Sequence, residues 1–329
     1  MKTDRLPTQF VENASKKTKI PPLIPLHPGP AGTFPASCEL PAGAKTVKLK
    51  DNFGYPADFF PNVIYDTQDG MDLHLQILIP KSAPEGRLKK WPLIVYIQGS
   101  AWHKQDLYAH LPHLLRMVQR GYAAAVVEYR PSDTAPFPAQ IQDAKTAVRY
   151  LRSHAGDYQI AEDKIALWGD SSGAHTALTA GFTGDGRLDN GRYPEYSCSV
   201  NCIVDWYGPT EFKVMNCYPC RKDHTGPDSP EGFLIGRKHV LEHPELAGQA
   251  SPAQYLSQDR PTPPVLIMHG NADQVVPFNQ SCRLYNKMKA LGKQAEFIRL
   301  EGADHGIGGF NSDEVLDLVE DFLVRMMGL

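Results

Sequence analysis

Short apolar runs without alternation recur along the chain: Leu93-Ile94-Val95-Tyr96-Ile97, Ile165-Ala166-Leu167-Trp168 and Pro264-Val265-Leu266-Ile267-Met268. Runs of this length predict strands buried on both faces. Further strands are expected over Asn62–Tyr65, Leu73–Ile79, Ala123–Glu128, Val200–Trp206 and Ala295–Leu300. Between them the period changes. Ile141, Ala144, Val148 and Leu151 share one face at helical spacing, within a helix predicted over Ala139–His154. Helices are also expected over Asp106–Arg120, Ser172–Gly181, Gln280–Leu291 and Asp313–Met327. Alternating strands and helices predict an α/β fold with a mostly parallel eight-stranded sheet covered by helices on both faces. No internal repeat is found.

The pattern fails at two places. Residues 1–58 carry Pro21, Pro22, Pro25, Pro28 and Pro30 and predict an extended arm without its own core, which would wrap the body or pair with another subunit. Residues 59–329 form the body. Within it, residues 208–263 interrupt the alternation, holding Glu211-Phe212, Cys217, Cys220, Phe233-Leu234-Ile235-Gly236 and a short helix near Pro252–Leu256.

Composition adds exclusions. The chain has 329 residues, with 42% hydrophobic and 22% charged content, as expected for a globular protein. A formal charge of −3 provides no basic field for nucleic acid. No apolar run reaches membrane-spanning length, and MKTDRLPTQF has no apolar h-region, so no membrane partner is expected and the location implied is cytoplasmic.

The candidate chemistry begins at Gly169-Asp170-Ser171-Ser172-Gly173, which has the form G-x-S-x-G. It lies between a predicted strand and a predicted helix, the context in which this short pattern marks a nucleophile on a strained turn. A serine hydroxyl needs a base, and the base needs an orienting acid. Two later strands end in suitable groups: His269-Gly270-Asn271-Ala272-Asp273 and Glu301-Gly302-Ala303-Asp304-His305. The carboxyl ends of parallel strands are where sites assemble. The chain order Ser171, Asp273, His305 is that of α/β-hydrolases. Asp170, His175 and His269 are read as structural hydrogen-bonding residues. Asp304 rivals Asp273 as the acid, but adjacent residues do not easily point side chains at each other.

With WGDSSGAH around Ser171, HGNADQVVP around Asp273 and GADHG around His305, the chain resembles α/β-hydrolase carboxylesterases over roughly residues 60–328. It is most similar to the bacterial feruloyl-esterase-like or acetyl-esterase-like branch near the hormone-sensitive-lipase group. The resemblance implies a serine esterase acting on short-chain or aromatic acyl esters, including carbohydrate-linked ones, with no cofactor and no metal. Its partner would be a small-molecule ester.

Members commonly carry His-Gly-Gly-Gly after the third strand; here the segment is Gln98-Gly99-Ser100-Ala101. By resemblance, Ser100, Ala101 and Ser172 donate backbone N–H groups to the oxyanion, with the backbone more restricted at Ser100 than at a glycine. Gln98 is expected to hold the loop by hydrogen bonding. The 208–263 insertion is expected to form a lid, and Trp102 and Tyr108 to line the pocket. An arylformamidase-type amidase, a peptidase and a non-catalytic binding protein on the same fold remain alternatives.

Cys198-x3-Cys202 and Cys217-x2-Cys220 admit a zinc reading. In an extended strand the first two would stand ~13 Å apart, which is awkward for one metal. Reduced thiols are the expectation.

Overall fold

The computed structural model describes residues 41–46, 55–81 and 90–329. The chain divides into two compact units, Met1–Lys48 and Leu49–Leu329. In the first, the described residues form a turn in which Ala44 N–H donates to the Pro41 carbonyl (3.0 Å). The rest of the expected arm, apart from residues 55–58, lies outside the described residues. Ala57 and Asp58 already belong to the first strand of the second unit.

That unit is built on an eight-stranded sheet in the order β1-β2-β4-β3-β5-β6-β7-β8. The strands are β1 (Ala57–Gln68), β2 (Met71–Pro80), β3 (Trp91–Ile97), β4 (Ala123–Val127), β5 (Ile160–Asp170), β6 (Cys202–Trp206), β7 (Val265–Gly270) and β8 (Ala295–Leu300). β1 and β2 run antiparallel, and β2 pairs antiparallel with β4. From β4 to β8 every pairing is parallel. The carboxyl ends of β3, β5, β6, β7 and β8 therefore share one rim.

The central strands bury both faces, which explains their unbroken apolar runs. Leu93, Val95 and Ile97 of β3 join one core with residues of α2 (Ala139–Ser153), α3 (Ser172–Phe182) and α6 (Asn279–Ala290). Ile94 and Tyr96 face the other, with α1 (Leu111–Gln119) and α7 (Asp313–Met327). α7 has a Ser312 N-cap, Asp313 and Glu314 in its first turn, and Gly328 left-handed at its end (φ 64°). Among the described residues no helix is long and apolar enough to cross a membrane.

α1 starts five residues later than predicted. Pro112 is tolerated only in a helix's first turn, and Asp106 captures the Tyr108 N–H (3.1 Å), stabilising a turn instead. Between β6 and β7 the chain forms 3-10 helices at Phe212–Cys217 and Pro252–Tyr255 and short helices α4 (Pro230–Leu234) and α5 (Pro244–Gln249). This insertion has its own small core of Phe212, Leu234, Ile235, Val240, Ala247 and Ala250, packed on Trp102.

Candidate active site

The strand-to-helix turn at Ser171 is a direct consequence of two glycines. A Cβ at Gly169 would stand 2.4 Å from the Gly173 carbonyl carbon, and one at Gly173 would stand 2.0 Å from the Ile97 oxygen. Only glycine lets β3, β5 and α3 approach so closely. Ser171 itself takes φ 51°, ψ −125°, a strained conformation for a side-chain-bearing residue. Its N–H donates to the Trp206 carbonyl (2.8 Å) and its carbonyl accepts from His175 N–H (3.1 Å). The turn is thus held from β6 and from its own helix.

His305 arrives from the loop after β8 and Asp273 from the loop after β7. His305 Nε2 is 2.9 Å from Ser171 Oγ, and His305 Nδ1 is 2.7 Å from Asp273 Oδ2. An ionised carboxylate only accepts, so Nδ1 carries the proton and Nε2 presents its lone pair to the serine hydroxyl. Burial raises the Asp273 carboxyl pKa, but hydrogen bonds from His269 and His305 outweigh it and hold the group well below the usual carboxylate range. Val275 and Val276 N–H groups also donate to Asp273 Oδ1, at 2.8 and 2.9 Å. The side chain of Asp273 is fully buried, whereas that of His305 is 20% exposed.

The neighbours take structural roles. His269 Nε2 lies 3.1 Å from both Asp273 Oδ2 and the Val276 carbonyl, while its Nδ1 faces Ser281 Oγ at 2.7 Å. Asp304 accepts from Gln274 N–H (2.9 Å), Gln274 Nε2 (2.6 Å) and His305 N–H (2.8 Å), tying the two loops together. Asp170 Oδ1 accepts from Tyr96 Oη (2.7 Å) and Gly99 N–H (2.9 Å), fastening the loop after β3 to the turn at Ser171. His175 is buried and bonded to Trp102 Nε1 and the Ala250 carbonyl, and burial lowers its pKa to about 4.

The loop after β3 corrects several expectations. The Ser100 N–H donates to Ser172 Oγ (2.8 Å), so it is already occupied and braces the loop. The strained positions are Ala101 and Trp102, at φ 54° and 57°, rather than Ser100. The Ala101 N–H has no acceptor among the described residues. Ser172, as the first residue of α3, likewise has no partner for its N–H within the helix. Gln98 Oε1 is buried without a partner among the described residues, and the residue holds the loop through its backbone, its carbonyl accepting from Tyr129 Oη (3.0 Å). Tyr129 also reaches Ser100 Oγ (3.0 Å), a support that sequence reasoning missed because Tyr129 lies beyond β4.

Trp102 and Tyr108 do not line one pocket. Trp102 is 1% exposed, with its ring 5.6 Å from Phe212, and is the anchor on which the insertion packs. Tyr108 is on the surface, donating to Asn62 Oδ1 (2.9 Å). The ring beside the site is Tyr207, 4.6 Å from the His305 ring. A cleft of about 700 Å³ runs from Ala101 to Val275, with Lys222, Asp223, Pro227 and Asp228 of the insertion along it.

The zinc reading is not supported. Cys198 is buried beside Arg149, Cys202 opens β6 in the core, and Cys217 is exposed. Among the described residues no group of three or more His, Cys, Asp or Glu is placed to hold a metal ion.

A serine on a strained strand-to-helix turn, facing a histidine and a carboxylate from later strand ends of one parallel sheet, is the arrangement of an α/β-hydrolase fold. The chain belongs to the BD-FAE family, which it matches over residues 75–288. Esterase LipC of Mycobacterium tuberculosis is 28% identical over 221 residues, covering 66% of this chain and 53% of LipC. The chain spans about half the length of the curated relatives it matches. Among solved structures, a truncated carbohydrate esterase from gut microbiota superposes with TM-score 0.73 at 31% identity, covering 85% of this chain and 99% of that one. Esterase 2 of Thermogutta terrifontis, phosphonylated by sarin, shares the fold (TM-score 0.66, 24% identity, covering 84% of this chain and 96% of that one).

Proposed function

We propose that this protein is a serine carboxylesterase that hydrolyses short-chain or aromatic acyl esters through an acyl-enzyme. One observation carries the reading: the continuous relay from Ser171 Oγ through His305 (2.9 Å) to Asp273 (2.7 Å). His305 takes the proton of Ser171 as the oxygen attacks the ester carbonyl. Asp273 holds the imidazole in the required tautomer and stabilises its charged form. The N–H groups of Ala101 and Ser172 receive the oxyanion, while Ser100 and Tyr129 keep the donor loop in place. Protonated His305 then releases the alcohol, and water cleaves the acyl-enzyme by the reverse route. Every proton has a carrier in this scheme, so no cofactor is assigned.

The cleft supplies the preference. Lys222, Asp223 and Asp228 place polar groups along a cleft that Ala101, Pro227, Pro230 and Val275 also line, so it offers an ester's alcohol both hydrogen-bonding and apolar contact. The similarity to a gut-microbiota carbohydrate esterase supports a carbohydrate-linked ester. The 208–263 insertion acts as the cap that forms this wall. The test is labelling with a fluorophosphonate probe together with a panel of acetyl, butyryl, octanoyl and feruloyl esters and N-formylkynurenine. Labelling at Ser171 and turnover of the short or aromatic esters are expected, both lost in Ser171→Ala. Turnover of N-formylkynurenine alone would reassign the enzyme as an amidase, and an unlabelled wild-type protein would remove it from catalysis.

A further inference from the structure

The insertion does more than wall the cleft. Asp273 Oδ1 is gripped by the N–H groups of Val275 and Val276. Each belongs to a planar peptide unit whose carbonyl points the opposite way. Both carbonyls are held by one segment of the insertion. The Gln274 carbonyl, paired with the Val275 N–H, accepts from Arg221 N–H (2.8 Å). The Val275 carbonyl, paired with the Val276 N–H, accepts from His224 Nε2 (2.8 Å).

We propose that residues 221–224 of the insertion, with the His224 imidazole as the principal donor, are a positioning device for Asp273, fixing and polarising the two peptide groups that orient its carboxylate toward His305. The proposal rests on the esterase reading for its activity readout, and on geometry for its structural one. Fixing a carbonyl fixes the direction of the N–H across the same plane. Donation to the carbonyl also strengthens donation from the N–H.

His224 is built for this role. Its side chain is 2% exposed, and its Nδ1 lies 2.9 Å from Glu231 Oε2 on α4, also 2% exposed. A carbonyl can only accept, so Nε2 must carry a proton. Burial lowers the His224 pKa, but the Glu231 carboxylate, the Val275 carbonyl and nearby Asp223 together raise it above its ordinary value. A charged donor makes the stronger hydrogen bond to Val275. The ionisable groups around the ring are Glu231 from α4, Asp223 beside it in the chain, and Asp273 and His269 behind the Val275–Val276 peptide. Asp223 is itself fully engaged by Asn216, Thr225 and Gly226. Ser229 caps α4 through Gly232 N–H (3.0 Å), keeping Glu231 in place.

Two substitutions separate the role from simple packing. The Gln amide nitrogen overlays Nε2 and can still reach Val275. The Asn amide nitrogen overlays Nδ1 and reaches only Glu231. In His224→Asn, kcat for p-nitrophenyl acetate should fall about ten- to hundredfold with KM little changed. His224→Gln should recover most of the loss. The low-field proton resonance of His305 Nδ1–H against Asp273 should weaken in His224→Asn and persist in His224→Gln, and this readout needs no ester. Unchanged kcat and resonance in His224→Asn, or equal losses in both variants, would overturn the proposal. If the variants do not fold, nitrogen-15 imidazole spectra of the wild-type protein decide: a bare Nε2 on His224 excludes the clamp. Absence of wild-type turnover with an intact clamp resonance would count against the esterase reading alone.

Discussion

Asp205 offers a measurement of what burial costs beneath this site. It lies on β6 with 0% exposure. Oδ1 accepts the Gly208 N–H at 2.9 Å, and Oδ2 is buried without a partner among the described residues. Burial pushes its carboxyl pKa up to about 7, against the lowering effect of the Gly208 bond. The folded protein therefore retains a proton where the unfolded chain, near ~3.9, has lost it. A raised carboxyl contributes stability in full below the unfolded value and loses it as pH rises through the folded one. Linkage over that window puts the wild-type loss between about pH 5 and pH 8 at ~2–3 kcal/mol. Asp205→Asn keeps the shape and an acceptor for Gly208 but cannot titrate. Urea unfolding followed by circular dichroism at both pH values should show the variant gaining about that amount on wild type at the higher pH. Equal stability differences at the two pH values would show that Asp205 is not held neutral by its surroundings.

Two further outcomes concern the catalytic centre. Asp273→Asn should reduce kcat by ~10⁴-fold with little change in fold, because the imidazole loses its orienting carboxylate; stopped-flow turnover of a short ester checks this. Gly173→Ala places a methyl 2.0 Å from the Ile97 carbonyl oxygen and should cost about 1–3 kcal/mol or more of stability, read by thermal unfolding, with loss of fluorophosphonate labelling at Ser171.

Much of the architecture is legible in the residue pattern where one physical requirement dominates. β8 and α7 have the predicted bounds, Ala295–Leu300 and Asp313–Met327. In α7, Ser312 at the N-cap and Gly328 at the end are local signals that need no distant partner. β5 is longer than its apolar core, because Ile160 joins Trp91 across a register shift that no local pattern announces. The late start of α1 follows from Pro112 and Asp106, local signals that favour a turn ahead of Leu111. Trp102 lies in the loop after β3, a position that predicts a pocket residue, but its ring anchors the insertion.

The sequence by itself determined the alternating α/β order, the glycine-flanked serine and the order in which acid and base follow it. Those depend on periodicity and on backbone sterics, which act between near neighbours. Only the tertiary structure decided which amides are free and which carboxylate faces the imidazole, and only it showed that His224, 51 residues before Val275, holds the acid loop. Hydrogen bonds of that span are set by how β6, β7 and the insertion converge in space, and directionality within a few tenths of an ångström has no counterpart in residue order.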